Sequence, residues 1–126
     1  MRSAHDLVRE ARSRIVELPL AEAATWRPDG VLVVDVREPA EYAAGHVPGA
    51  LNLPRGVLEF RLEAVPEWAK RQRPVLLYCQ TSNCAALAAL SLLQMGYSTV
   101  RSIAGGFDDW VAAGLPVEKP AQPAPH

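Results

Sequence analysis

Cysteine and histidine are scarce in this chain, with two of the first and three of the second. Cys79 and Cys84 stand close together, but the histidines are distant, which is a poor zinc pattern, so no metal is expected. An excess of basic charge is also missing. Thirteen Lys and Arg face 14 Asp and Glu, for a net charge of -1. That leaves no electrostatic footprint for nucleic acid. The densest basic stretch, Lys70-Arg71-Gln72-Arg73, reads as a solvated helix end. No apolar run approaches the roughly 20 residues of a membrane span. The N-terminal stretch alternates charged with apolar residues and lacks the apolar core of a secretory signal. These absences suggest a reducing cytoplasm, where paired cysteines are more often chemical than structural.

What is present suits one ordinary globular domain. The chain has 126 residues, 49% of them hydrophobic, which is enough for a core of normal size. We read residues 1–118 as that domain, with 1–14 a helical extension. Residues 119–126 form a Pro-rich tail whose composition predicts disorder.

The organising stretch begins at Val75. Val75-Leu-Leu-Tyr78 is a continuous apolar run ending at Cys79. Gln80-Thr81-Ser82-Asn83 is a short polar loop. Cys84 then leads into Ala85-Ala-Leu-Ala-Ala-Leu-Ser-Leu-Leu-Gln-Met95, apolar almost all round. The pattern predicts a buried strand, a turn and a buried helix, ended by Gly96. Cys79 thereby falls at a strand's C-terminal end, facing loop amides that lead into a helix N-terminus. Those N–H groups lack intrahelical partners, and the helix dipole adds positive potential. A thiolate, a persulfide or a small anion fits such a place.

Elsewhere strands and helices alternate. Residues 4–14 predict an amphipathic helix, 15–18 an edge strand and 20–26 a second helix. Val31-Leu-Val-Val34 is the β-branched run of a strand covered on both faces. Residues 39–44 predict a short helix with Pro39 at its first position. A small strand at 50–53 and a largely helical stretch at 56–71, interrupted by Pro66, follow. A strand at 98–103 and a helix at 107–113 complete the pattern. This order implies an α/β fold, a parallel sheet with helices on both faces. Sites in such sheets lie beyond the carboxyl ends of the strands, where Asp35, Arg37 and Cys79 fall. Asp35 and Arg37 read as structural groups tying a strand end to neighbouring loops, with Glu41 a possible partner for Arg37. His46, between Gly45 and Val47, reads as a hydrogen-bonding residue of a turn. Arg55 and Arg61 follow a strand end that should open near the cysteine loop. Either is a candidate for the rim of a substrate site.

Three stretches resemble the rhodanese-like family of single-domain sulfurtransferases. They are Asp35 to Pro54, Tyr78-Cys79 with the loop behind it, and Gly105 to Pro116. The resemblance implies a central five-stranded parallel sheet in a three-layer α/β/α arrangement. It also implies that Cys79 carries a sulfane sulfur as a persulfide, with no cofactor. The expected partners are a small sulfur anion or persulfide donor and a thiol, cyanide or protein sulfur acceptor. Many active members have a loop of the form Cys-x-x-Gly-x-Arg. Here Ser82 stands at the glycine position, which predicts a positive φ at a non-glycine residue. Cys84 stands at the arginine position, so a fixed cation and bidentate anion clamp are missing. Related phosphatase-like proteins use a loop one residue longer and need that arginine.

The chemistry has its own physical grounds. A free thiol has a pKa of about 8.5, so little thiolate exists near neutrality. Inward-pointing amides from Gln80 to Cys84 would favour the anion and hold the charge of a persulfide. Two rival readings stay open. One is a binding or regulatory module that retains the fold without turnover. The other is a thiol redox protein in which Cys84 resolves a Cys79 persulfide through a disulfide or polysulfide bridge.

Overall fold

The computed structural model describes residues 1–119. The expected Pro-rich tail therefore lies outside the described residues beyond Lys119. Five parallel strands form the sheet: β1 (Val16–Leu18), β2 (Leu32–Asp35), β3 (Leu51–Asn52), β4 (Val75–Tyr78) and β5 (Val100–Ile103). Their spatial order is β1-β5-β4-β2-β3. The central strands are buried at every position of β2 and β4, as their unbroken apolar runs require.

Side chains alternate across this sheet and divide the core in two. Leu32, Val34, Val75 and Leu77 face one way, toward α4 (Leu58–Ala64) and α6 (Asn83–Gln94). Val33, Leu76, Tyr78 and Ile103 face the other, toward Ala23, Phe107 and Trp110. Those three residues belong to α2 (Leu20–Ala23) and α7 (Gly106–Ala112). The α3 helix (Pro39–Ala44) contributes Tyr42 to this second layer, and α5 (Pro66–Ala69) brings Trp68 to the first. A further layer is added by α1 (Ala4–Arg14), whose Val8 and Ala11 pack against Ala86 of α6. Ser3 caps α1 through a reciprocal capping box with Asp6.

Several expected elements are shorter than the sequence suggests. The second helix stops at Ala23 rather than at 26, and β3 keeps only two residues. The helical stretch after Gly56 breaks at Val65, immediately before Pro66, because proline disfavours an α conformation in the residue preceding it.

The strand order places a topological switch between β2 and β4. The chain leaves β2 for β3 at the edge, then returns past β2 to β4 on its other side. Loops leaving β2 and β4 therefore diverge and open a crevice at their carboxyl ends. Cys79 follows β4 there, and Val36-Arg37 follows β2.

Candidate active site

The loop after β4 closes around one sulfur. The amide of Ser82 donates to Sγ of Cys79 at 3.1 Å, and that of Ala85 does so at 3.2 Å. The sulfur thus accepts from the loop and from the first turn of α6, where N–H groups have no intrahelical partner. Ala85 lies one residue beyond the loop as read from sequence. The loop's own contribution comes from Ser82, while Gln80 acts through its side chain.

Carbonyls must point away if amides are to point in, and α7 holds them there. Phe107 N donates to Cys79 O at 2.8 Å, and Asp108 N donates to Gln80 O at 3.1 Å. This close approach requires Gly106. A Cβ at that position would lie 2.6 Å from Cys79 O and 2.7 Å from Gln80 O, and its φ of +65° also favours glycine. The Gly105-Gly106 pair at a strand-to-helix turn is the sequence signal for this contact, although the pattern alone does not say what approaches.

Ser82 occupies the left-handed region with φ 99°, as its place in the loop predicts. A side chain there costs on the order of 1 kcal/mol. Ser82 is buried, and its hydroxyl accepts from Arg12 Nη2 at 2.7 Å. The same nitrogen donates to Asn83 Oδ1 at 3.0 Å. Sequence reasoning does not reach Arg12, because nothing local connects it with the loop.

A cavity of about 170 Å³ opens over Cys79. Val36, Arg37, Arg55, Gln80, Thr81 and Cys84 are among the residues that line it. Arg55 is a cation at its rim; Arg37 is spent on Asp35, and Glu38 and Glu41 also line the cavity. The Arg55 amide donates to Val36 O at 3.0 Å, and its guanidinium pairs with Glu59 at 2.8 Å. Arg61 is exposed on α4 and is not among the cavity's lining residues. The α4 helix carries it away from the crevice, so the two arginines separate. Burial opposes the charge on Glu59, but hydrogen bonds from Ser91 and the nearby Arg55 outweigh it and hold the carboxyl below its ordinary range.

Both thiols are free. Cys84 lines the same cavity as Cys79 and also a second one with His5, Val8 and Leu87 of the α1 and α6 helices. Burial, and after it the neighbouring Cys79, push its thiol pKa upward.

Asp35 and Arg37 form a buried ion pair beside the loop. Arg37 Nη2 lies 2.7 Å from Asp35 Oδ2, and Nε donates to both carboxylate oxygens at 3.1 Å. Arg37 also donates to Gly45 O at 2.6 Å and to Gln80 Oε1 at 3.1 Å, while Gln80 donates onward to Asp108. Its guanidinium lies over the Phe107 ring, 4.2 Å from the centroid. Burial opposes the charge on Arg37, but Asp35 outweighs it and raises the pKa. Glu41 is not the partner of Arg37: its carboxylate accepts from the Glu38 amide and caps α3. Asp35 wins because it precedes Arg37 by two residues at the same buried strand end.

His46 is buried and stacks on Tyr42 with ring centroids 3.8 Å apart. Nδ1 lies 3.0 Å from Tyr42 O and Nε2 lies 3.2 Å from Glu118 Oε1. Backbone pairing of His46 with Glu118 ties residues after α7 to this turn. The ring is spent on these contacts and is not among the residues lining the cavity over Cys79.

Comparison with known proteins agrees with this geometry. The chain matches the Rhodanese-like domain over residues 20–113. A sulfurtransferase of Allochromatium vinosum is 37% identical over 92 residues, covering 73% of this chain and 82% of the relative. A Rhodopseudomonas palustris protein of unknown function, described as a possible tyrosine phosphatase, superposes with a TM-score of 0.86 at 32% identity, covering 94% of this chain and 96% of that one. A homodimeric polysulfide-sulfur transferase of Wolinella succinogenes gives 0.74 at 30% identity, covering 94% and 89%. The chain belongs to the rhodanese-like domain family.

Proposed function

We propose that the chain is a sulfurtransferase that carries a sulfane sulfur on Cys79. The observation behind this reading is the pair of amides aimed at Cys79 Sγ beneath an open cavity. The sulfurtransferase relatives support the same class of reaction.

In the loading step the Cys79 thiolate attacks the outer sulfur of thiosulfate or of a persulfide donor. A new S–S bond forms, and sulfite or a thiolate leaves with the electron pair of the broken one. Amides around the site stabilise the anionic persulfide without reorganising. Thiolate, cyanide or a protein thiolate then attacks the outer sulfur, and Cys79 leaves as the thiolate. Arg55 is the cation at the cavity's rim for an anionic donor. A phosphatase reading is less well supported, since Cys84 occupies the loop end where an arginine would clamp a phosphate. The reducing cytoplasm is the compartment we propose, because Cys79 must be a free thiol to be loaded.

Incubation with thiosulfate should add the mass of one sulfur atom to the intact protein. Cys79→Ala should add none. An unchanged mass in the unsubstituted chain, or an equal gain in Cys79→Ala, rejects the reading.

A second reading has one observation in its favour, the shared cavity of Cys79 and Cys84. After loading, Cys84 thiolate attacks the inner sulfur of the Cys79 persulfide. A Cys79–Cys84 disulfide forms and hydrosulfide leaves. Sulfide release that survives Cys84→Ser unchanged would reject this step.

A further inference from the structure

Ser82 is the only non-glycine residue with positive φ among the described residues, and its amide is one of the two that face Cys79 Sγ. Glycine would adopt this conformation freely, whereas serine resists it. Something outside the loop must therefore hold it.

Arg12 is placed to do so. Its Nη2 donates to Ser82 Oγ at 2.7 Å and to Asn83 Oδ1 at 3.0 Å, so one nitrogen bridges two consecutive loop side chains. On its other side the guanidinium makes a longer, part-exposed contact, with Nε 3.5 Å from Glu17 on β1. Arg12 lies in the last turn of α1, which is seated on α6 through Val8, Ala11 and Ala86. It also lies outside residues 20–113, the part matched by the family.

We propose that Arg12 is a positioning residue: the α1 helix clamps Ser82 in its left-handed conformation and so keeps the Ser82 amide on the Cys79 sulfur. Intrinsic freedom at a glycine is replaced by a handle, the serine hydroxyl, and a hand on a distant helix. The geometry of the catalytic loop then depends on how α1 is docked. The catalytic consequence rests on the sulfurtransferase reading, but the clamp itself is testable without it.

The test is a double-mutant cycle on the full chain carrying Cys84→Ser, so that one thiol reacts. Iodoacetamide alkylation of Cys79 at neutral pH is the first readout, and the kcat and KM of sulfur transfer from thiosulfate are the second. Arg12→Ala should slow alkylation roughly tenfold, the size set by the strain of a left-handed non-glycine residue. It should lower kcat by a similar factor and leave KM nearly unchanged. In a Ser82→Gly background the same substitution should cost less than about twofold, because glycine needs no clamp. Arg12→Lys should recover part of the loss, having a donor but no fixed fork. Glu17→Ala, which cuts the tether to β1 and leaves the clamp in place, should change alkylation by less than about twofold. An equal Arg12→Ala penalty in both backgrounds overturns the proposal, and so does no penalty with serine present. A Glu17→Ala variant that reproduces the loss also overturns it, since docking of α1 alone would then suffice. Loosening of α1 by Arg12→Ala would persist in both backgrounds and so cannot imitate the expected pattern. If alkylation follows the pattern while no variant transfers sulfur, the clamp stands and the proposed function fails.

Discussion

Two polar regions lie side by side at the carboxyl ends of the strands, and they are built in opposite ways. The Asp35–Arg37 region is made of side chains, and every charge in it is answered. Arg37 meets Asp35, Gly45 O and Gln80, and the ring of Phe107 lies beneath it. The Cys79 region is made of main chain. Two amides face the Cys79 sulfur, and the space above it is open. A saturated network fixes shape and does little chemistry. An unsaturated cradle does chemistry only while something else fixes its shape. The saturated region supplies that support through Gln80 and Phe107, and α7 and Arg12 supply the rest.

The largest separation of the two regions should come from removing the sulfur. Cys79→Ala should abolish sulfur loading, read by intact mass, while the denaturation midpoint moves little. Arg37→Ala should act first on stability and cost about 3 kcal/mol in chemical denaturation, because it strands the fully buried Asp35 carboxylate. A smaller loss, near that of a surface substitution, would mean that the pair is not the anchor we describe. Between the two stands Gly106→Ala, which strikes the support of the cradle. It should cost about 2 kcal/mol of stability and most of the loading rate, because the new Cβ collides with backbone oxygens. Arg55→Ala should be milder, raising KM for thiosulfate about threefold with kcat retained, as suits a half-exposed rim cation. An unaltered KM would remove Arg55 from the site.

The smallest effect at neutral pH concerns Cys84. Its thiol pKa is raised by burial and by Cys79, so folding favours the protonated form. The stability this lends is present below the ordinary thiol value and is lost as pH rises through the raised one. Attack on a Cys79 persulfide needs the thiolate, so sulfide release should be slow at neutrality and climb through the alkaline range. A release rate that does not change with pH would exclude Cys84 as the attacking group.

Much of the fold was legible because it follows from local rules. The apolar runs ending in Tyr78 and Val34 read as strands covered on both faces, and their alternation with helices implied parallel order. The setting of Cys79 was legible for the same reason, since a cysteine at such a strand end meets unpaired amides. The positive φ at Ser82 followed from the family resemblance, which puts Ser82 at the loop's glycine position. Arg55 and Arg61 looked equivalent in sequence, but the path of α4 left only Arg55 on the cavity. Glu41 was a possible partner for Arg37 in the sequence, but burial at the strand end gives Arg37 to Asp35 and leaves Glu41 to cap α3.

By itself, then, the sequence determined which elements form and which sulfur stands at the end of β4. Both depend on residues within a few positions of one another, where periodicity and capping act. The tertiary structure alone decided what holds that atom's surroundings in place. Arg12 and Gly106 reach the loop across 70 and 27 positions of chain, and only packing of α1 on α6 and of α7 beneath the loop brings them there.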